Sequence, residues 1–281
     1  MDKDIIIKLK GEGIIAQKQA GYFSVRILTM AGNISSQDLV KIANIAEKYG
    51  KGYIGVTTRL SVELPWVKFQ DIDKVKEEIS KAGLMHGGTG KKVRPLVACK
   101  GTVCTHGIFD TQKLCSELHD KYFGEEMPSK FKIGIVGCPN NCAKASLNDI
   151  GFMGQKKVKF HFEKCKNCGL CINVCRAKVL EKGENNIKFQ DEKCVNCGAC
   201  EKICPFEAIS IEKEGIAVFV GGKFGRQYRI GDRINNIFNV EDADRIVKKI
   251  TDYHKEKAIG AERLSSMLDR IGWENVEKDL L

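Results

Sequence analysis

The first third of the chain switches between alternating and helical patterns of apolar positions. Residues 22–29 alternate, with Val25 and Ile27 on one face and Arg26 on the other, which predicts a strand. A helical pattern follows. It begins after Ser35, a helix-capping residue type, and it fits an end at Gly50.

Two more strands and a helix complete this unit. Residues 53–58 and 61–64 predict strands joined tightly around Arg59, and residues 71–82 predict a helix. The order strand, helix, strand, strand, helix is typical of a ferredoxin-like α+β fold. We therefore predict a ferredoxin-like half-domain over residues 1–84.

The rest of the chain contains a cysteine-rich segment between two stretches of α/β character. Residues 85–160 show short strands and one helix, and residues 213–281 return to strand-like sequence before an amphipathic helical tail. The segment between them, residues 161–212, holds two cysteine-rich repeats that begin at Cys165 and Cys194, 29 positions apart. The pattern predicts an α/β domain over 85–160 and 213–281, interrupted by an inserted module over 161–212.

Composition narrows the class of protein. The chain has 281 residues, 43% of them hydrophobic, and no apolar stretch approaches the ~20 residues of a membrane span. The first residues lack a signal-peptide pattern, so we expect a cytoplasmic protein whose clustered thiols bind metal. The net charge is +10, but Lys and Arg are scattered among acids, which disfavours nucleic acid as a partner. The positive excess fits either solubility alone or the presence of anionic cofactors and an anionic substrate.

The cysteines of the inserted segment form two quartets with the spacing C-x-x-C-x-x-C-x-x-x-C. In two-cluster ferredoxins, the fourth cysteine of each such run binds the other cluster. Structural zinc sites are the alternative, although zinc ribbons use paired cysteines. The spacing thus predicts one [4Fe–4S] cluster at Cys165, Cys168, Cys171 and Cys204, and a second at Cys194, Cys197, Cys200 and Cys175.

Four further cysteines form two distant pairs, Cys99 with Cys104 and Cys138 with Cys142. Spacing alone leaves zinc or a third cluster open, since four thiolates suit both. A strand pattern before the second pair places Lys130 and Lys132 on one face and Phe131, Ile133 and Ile135 on the other. Two ammonium groups on one face indicate either a solvated surface or an anion between them.

Three segments resemble the sirohaem-dependent sulfite and nitrite reductase family: Arg94–Cys104, Lys130–Lys144 and Thr57–Leu60. The resemblance covers nearly the whole chain. It implies that Cys99, Cys104, Cys138 and Cys142 bind a third [4Fe–4S] cluster, and that Cys142 also ligates the sirohaem iron. It implies substrate-binding roles for Arg26, Arg94, Lys130 and Lys132, and sirohaem contacts for Arg59, Asn148, Lys223 and Arg226.

The implied activity is the six-electron reduction of sulfite to sulfide, with electrons delivered through the ferredoxin module and the sirohaem-coupled cluster. Nitrite reduction at the same site, or a non-catalytic iron–sulfur electron-transfer role, are the alternatives. The first cysteine pair has four intervening residues where most of the family has five, which predicts a tighter loop. Many members contain two such halves, so we expect a homodimer or hetero-oligomer, and an electron-donor subunit or ferredoxin as a partner.

Overall fold

The protein is described by a computed structural model, which covers residues 2–280. Its regular elements fall into three units: an N-terminal α+β unit, a larger α/β unit, and a small cysteine-rich unit between two strands of the larger one. In chain order they are α1 (Lys3–Gly11), β1 (Ile14–Ala16), β2 (Tyr22–Ile27), α2 (Ser36–Tyr49), β3 (Gly55–Val56), β4 (Val62–Lys68), α3 (Ile72–Lys81), β5 (Val97–Ala98), α4 (Thr111–Tyr122), β6 (Ile133–Val136), β7 (Ile150–Phe160), α5 (Leu170–Val174), β8 (Leu180–Lys182), β9 (Ile187–Phe189), α6 (Ala199–Ile203), β10 (Ile209–Val220), β11 (Asp232–Arg233), α7 (Ala243–Lys257), α8 (Leu264–Ile271) and α9 (Trp273–Leu280).

The N-terminal unit is a four-stranded antiparallel sheet in the order β1-β2-β4-β3, packed against α2 and α3. The predicted helix start is confirmed, because Ser35 Oγ accepts a hydrogen bond from the backbone N–H of Asp38 at 3.0 Å. The two strands around Arg59 differ from the prediction. The first contains only Gly55 and Val56, and the second runs on to Lys68. Helix α1 and strand β1 were not predicted.

The larger unit is a five-stranded sheet in the order β11-β10-β7-β6-β5. Strands β5, β6 and β7 are parallel, while β10 and β11 are antiparallel to their neighbours. Helices α4, α7, α8 and α9 cover one face. The predicted alternation is confirmed on that face, since Phe131, Ile133 and Ile135 are fully buried in its core. The regular strand begins only at Ile133, so the two lysines precede it.

The opposite face of this sheet carries the cysteine pairs instead of helices. A small core of Val136, Ala145 and Met153 lies there, with Cys99 and Ala143 packed against it. Residues 138–149, which we name the cysteine loop, connect the end of β6 to the start of β7. Because β6 and β7 are parallel neighbours, this loop must run back over the sheet from the carboxyl end of β6 to the amino end of β7.

The cysteine-rich unit is an internal repeat that extends beyond the cysteines. Helices α5 and α6 start and end 29 positions apart, and Asn167 and Asn196 both adopt left-handed conformations at equivalent positions. Each half contributes a strand to the other half. Ile209 pairs with Phe160, and its equivalent in the first half, Leu180, pairs with Phe189. The unit has its own core, which includes cysteine side chains from both quartets.

Strands β7 and β10 belong to both the five-stranded sheet and this unit. Their ladder has a register shift between Ile211 and Lys213, the point where the sequence predicted a boundary. The strand itself continues through that point. The unit is therefore joined to the sheet by two paired strands rather than by flexible linkers. None of the helices in residues 2–280 combines the length and apolarity needed to cross a membrane.

Candidate iron–sulfur and anion-binding site

The two distant cysteine pairs meet at one edge of the five-stranded sheet. Cys99 directly follows β5 and Cys138 lies just after β6. Since these strands are parallel neighbours, their carboxyl ends lie side by side. Cys99 Sγ accepts a hydrogen bond from the backbone N–H of Gly137 at 3.2 Å. Burial raises the pKa of the Cys138 thiol, and the thiols of Cys99, Cys142 and Cys104 add to the rise. All four thiols are thus close enough to interact.

The first pair lies in a compact loop. Thr111 Oγ1 and Gln112 Nε2, at the start of α4, both donate hydrogen bonds to the Cys99 carbonyl, at 2.8 and 2.7 Å. A Cβ on Gly107 would lie 1.9 Å from the carbonyl oxygen of Gly101, so the two ends of the loop approach as closely as backbone allows. No three His, Cys, Asp or Glu side chains of residues 2–280 converge on a position for a single metal ion. A cubane does not require that convergence, because each thiolate binds a different iron.

Three glycines hold the turn that follows the second pair. A Cβ on Gly134 of β6 would lie 2.5 Å from Asn148 Nδ2, and one on Gly151 of β7 would lie 2.3 Å from the Ala145 carbonyl oxygen. A Cβ on Gly222 would lie 2.4 Å from the Asn148 carbonyl oxygen. The short helical turn at residues 145–147 is therefore pressed against backbone on three sides, which fixes the cysteine loop to the sheet.

The N-terminal unit reaches this turn through Arg59. Its Nη1 donates to Asn148 Oδ1 at 3.0 Å and its Nη2 to the Pro95 carbonyl oxygen at 2.8 Å. Burial lowers the pKa of Arg59 to about 10, against the opposing charge of Asp149. Arg94 behaves similarly. Burial, with Arg26 next, lowers the pKa of Arg94 to about 10, and its Nη1 donates to the Gly88 carbonyl oxygen at 2.9 Å.

The predicted cations form one group, which we name the basic cluster: Arg26, Arg59, Arg94, Lys130 and Lys132. Burial, with Arg59 next, lowers the pKa of Lys132 to about 8. Partial burial lowers the pKa of Lys130, and Arg94 contributes to this shift. These mutual effects show that the five positive groups lie close together. Within residues 2–280, the buried Nε atoms of Arg59 and Arg94 have no hydrogen-bond partner.

Sequence reasoning missed the acidic residues of this region. Glu63 Oε1 accepts hydrogen bonds from Nε and Nη2 of Arg26 at 3.0 and 2.5 Å. Asp149 is fully buried and accepts from Arg263 Nη2 and from the backbone N–H of Lys132. Burial raises the pKa of Asp149, against the charge of Arg263. The cross-strand position of Glu63 opposite Arg26 was the one available signal, but it required the strand register.

Lys223 and Arg226 lie apart from the basic cluster, on the loop between β10 and β11. Lys223 and Arg229 exchange two backbone hydrogen bonds of 2.8 Å, which form a hairpin, and Arg226 lies at its exposed tip. The loop meets the cysteine loop at several points: Gly222 packs on Asn148, the Gly231 N–H donates to the Ser146 carbonyl oxygen at 2.8 Å, and Lys144 Nζ lies 5.2 Å from the centre of the Phe224 ring. The structure thus brings these two residues near the turn, but not into contact with the other cations.

In the cysteine-rich unit, the fourth cysteine of each run lies beside the first three of the other run. Cys165, Cys168, Cys171 and Cys204 line a single cavity, together with apolar residues that include Phe160, Ile187 and Phe206. Burial raises the pKa of the Cys194 thiol, and the thiols of Cys197 and Cys175 contribute to the rise. In both halves the backbone N–H of the left-handed asparagine donates to the first cysteine Sγ at 3.4 Å. Each group of four thiols is thus drawn from both halves of the repeat.

Comparison with known proteins identifies the class of protein that this fold and site define. The family model "Nitrite and sulphite reductase 4Fe-4S domain" matches residues 89–280, and the model "Nitrite/Sulfite reductase ferredoxin-like half domain" matches residues 15–82. The chain therefore belongs to the nitrite and sulfite reductase family. The ferredoxin-like half-domain predicted for its N-terminus is confirmed by the second match.

Individual relatives agree with this assignment. The chain is 33% identical over 93% of its length to a coenzyme F420-dependent sulfite reductase of Methanocaldococcus jannaschii, of which it covers 42%. It is 34% identical over 60% of its length to one of the subunits of the anaerobic sulfite reductase of Salmonella typhimurium, of which it covers 51%. The chain thus spans about half the length of these two relatives. A crystal structure of dissimilatory sulfite reductase I has the same fold, with a TM-score of 0.72 and 20% identity over 92% of this chain and 69% of the other.

Proposed function

We propose that this chain catalyses the sirohaem-dependent six-electron reduction of sulfite to sulfide. The observation that carries the proposal is the convergence of the basic cluster beside the turn that follows Cys142. A protein that only transferred electrons would have no use for five clustered cations, four of which are partly buried, because the desolvation of such groups is costly unless an anion offsets it. The sulfite reductase relatives support sulfite as that anion.

The residues present fit an anionic macrocycle. Arg59 and Arg94 each keep a buried Nε free of any partner within residues 2–280, and such donors suit carboxylates. Arg59 would bind sirohaem carboxylates, with Lys223 and Arg226 as further contacts from the β10–β11 loop. Asn148 would act differently from the sequence expectation. Its amide already accepts from Arg59 and donates to the Lys144 carbonyl oxygen at 2.8 Å, so it would orient Arg59 rather than contact the macrocycle.

Sirohaem, when bound through Cys142, would supply a metal that accepts electrons singly and binds sulfur. The chain's own residues would do the rest. Arg26, Arg94, Lys130 and Lys132 would bind the sulfite oxygens, and their charged hydrogen bonds would stabilise negative charge on those oxygens. The lysine ammonium groups would also donate protons as oxygen leaves as water.

Three [4Fe–4S] clusters would deliver the electrons. One would be held by Cys99, Cys104, Cys138 and Cys142, and the other two by the crossed quartets. The quartet that contains Cys194 would be the one that passes electrons to the first cluster. Its loop docks on β7, where the Lys156 N–H donates to the Asn196 carbonyl oxygen at 2.7 Å and Asn196 Nδ2 donates to Gln155 Oε1 at 3.2 Å.

The next residue of β7 continues this route. A Cβ on Gly154 would lie 2.3 Å from the carbonyl oxygen of Gly137, the neighbour of Cys138. Electrons would therefore enter at the quartet that contains Cys165 and leave through the quartet that contains Cys194. An electron-donor subunit or a ferredoxin would supply them, and a second copy or another subunit would complete the assembly, because many members of the family contain two such halves.

Nitrite is the second candidate substrate, because the family includes reductases of both anions. The decisive experiment is anaerobic purification, iron counting and steady-state turnover with a chemical reductant. We expect sirohaem absorption bands, about twelve cluster irons in three cubanes, and a higher kcat/KM for sulfite than for nitrite. The same turnover is measured for Lys132→Met, which should lose activity. Lys113→Met, in which an exposed lysine of α4 is removed, serves as its control. A protein without sirohaem would overturn the proposal, and a preference for nitrite would replace the substrate.

A further inference from the structure

One buried carboxylate lies beside the basic cluster and has no role in the proposed chemistry. Asp149 has a fully buried side chain that forms an ion pair with Arg263. Its carboxylate receives two hydrogen bonds from Arg263 Nη2, at 2.9 and 3.1 Å, and one from the backbone N–H of Lys132 at 2.9 Å. No motif predicts it, and Arg263 enters the site from the distant start of α8.

The connection to Lys132 is direct and passes through the backbone. Asp149 is the last residue before β7 and Lys132 the last before β6, and these parallel strands are neighbours. The hydrogen bond from Lys132 to Asp149, together with the one from the Ile150 N–H to the Lys132 carbonyl oxygen at 3.0 Å, fixes the Lys132 backbone on both sides. Asp149 therefore helps to fix the backbone position from which the Lys132 side chain extends.

The electrostatic connection is broader. The groups facing Asp149 are Lys132 and Lys130 before β6, Arg94 before β5, Arg59 from the N-terminal unit, Arg263 from α8 and His254 from α7. Asp149 raises the pKa of Arg59, Arg94, Lys130, Lys132 and His254. For Lys132, whose pKa burial lowers to about 8, it is the main opposing influence. Removal of this charge would shift Lys132 toward its neutral form near neutral pH.

We propose that Asp149 is the positioning residue that keeps Lys132 charged and oriented toward the bound anion. Only the identification of the anion as sulfite rests on the proposed function. The effect of Asp149 on the charge of Lys132 does not require a bound substrate. Asp149 does not touch the substrate, and it acts through Lys132. A purely structural partner of Arg263 would have the same hydrogen bonds with the guanidinium but no influence on the lysine charge.

The test measures the ionisation of Lys132 directly. The purified holoprotein is labelled with acetic anhydride at a series of pH values, and the labelled fraction of the Lys132 peptide is read by mass spectrometry. In Asp149→Asn we expect the midpoint of Lys132 labelling to move about one pH unit lower. The matched control is Asp244→Asn, which removes the carboxylate that pairs with Lys121 on the far side of the α4–α7 contact. In that control the midpoint stays that of the wild type.

Sulfite binding supplies the second measurement. The alkaline limit of sulfite binding, followed by absorbance, should move down with the labelling midpoint in Asp149→Asn, with KM affected more than kcat. Sulfite in solution ionises in the same way in both experiments. A difference in the alkaline limit between the wild type and Asp149→Asn therefore comes from the protein. Asp149→Glu, which restores the charge, should return the midpoint toward the wild-type value. An unchanged labelling midpoint in a folded Asp149→Asn protein would overturn the inference.

A variant that fails to fold is covered by the double substitution Asp149→Asn with Arg263→Gln, which removes both buried charges and leaves no unpaired one. Because Arg263 itself lowers the pKa of Lys132, the double variant is compared with Arg263→Gln alone. A labelling midpoint lower in the double variant than in Arg263→Gln supports the inference, and equal midpoints overturn it. The outcomes also separate the two proposals, since a shifted midpoint in a protein without sulfite turnover supports the role of Asp149 and contradicts the proposed activity.

Discussion

Arg59 Nη1 donates a hydrogen bond to Asn148 Oδ1 over 3.0 Å, and this contact joins the N-terminal sheet to the turn that follows the second cysteine pair. The two residues are 89 positions apart in the sequence. The contact is one of three that fix the turn. Asn148 Nδ2 donates to the Lys144 carbonyl oxygen, and Arg59 Nη2 donates to Pro95 before β5. The position of the cysteine loop therefore depends on both units.

Replacement of Arg59 by Met should loosen this joint. Each hydrogen bond to a charged group contributes about 1.5–3 kcal/mol, so we expect the free energy of unfolding to fall by about 3 kcal/mol. The same change removes a donor for sirohaem carboxylates, so less cofactor should remain after anaerobic purification. Chemical denaturation and the haem absorbance measure the two effects. Arg245→Met, at an exposed site on α7, is the control, and equal cofactor content in both variants would contradict the assigned role of Arg59.

A methyl group at Gly134 should disturb the same turn from below. The Cβ of Gly134→Ala would lie 2.5 Å from Asn148 Nδ2, which requires a shift of Asn148 and of its partner Arg59. Such overpacking typically costs about 1–3 kcal/mol. Iron content and thermal unfolding measure the outcome. The matched control is Gly11→Ala, where the new Cβ would meet nothing within 4 Å. If both variants unfold alike with full iron content, the glycine cradle does not hold the site.

The sequence predicted the features that depend on local patterns and missed those that depend on contacts between distant parts of the chain. The capping serine at Ser35, the alternation from Phe131 to Ile135 and the repeat of the quartets are local patterns, and each predicted its element. Strand β1 has only three residues, and none of the residues of α1 is buried, so neither offers a strong periodic signal.

The missed site residues are tertiary features. Gly134, Gly151 and Gly222 are required by the approach of a turn that lies elsewhere in the sequence, and nothing beside them indicates it. Asp149 and Arg263 are 114 positions apart, and each is an isolated charge within an ordinary sequence. The strand pattern singled out Lys130 and Lys132, but Arg26, Arg59 and Arg94 were found only because a family resemblance named them. Their charges, burial and mutual distances belong to the folded chain.

Loss of the Lys132 ammonium should affect turnover more than cofactor binding. Burial lowers the pKa of Lys132 to about 8, so the group is charged below this pH and becomes neutral as the pH rises through it. Sulfite turnover should therefore fall on the alkaline side near pH 8. In Lys132→Met we expect the haem spectrum to persist, turnover to fall by about 100-fold, and this alkaline limb to disappear.

The pH profile of kcat/KM, measured for Lys132→Met and for the Lys113→Met control, checks the assignment. The control should keep the wild-type limb and rate. Lys130→Met should lose turnover as well but keep the limb set by Lys132. An alkaline limb that persists unchanged in Lys132→Met would show that another group controls it.

The crossed arrangement of the quartets can be tested by counting iron in paired substitutions. Cys204 lines one cavity with Cys165, Cys168 and Cys171, although it follows the second run in the sequence. If these four share a cluster, Cys204→Ser and Cys168→Ser each remove the same set of about four irons, and their combination removes no more than either alone. The combination of Cys204→Ser with Cys197→Ser should instead remove two clusters.

Cys115→Ser, at the buried cysteine of α4, should retain all the iron, because this thiol faces the apolar core and burial raises its pKa to about 12. The opposite result, additive loss with Cys168 and none beyond a single cluster with Cys197, would assign each run of four cysteines to its own cluster.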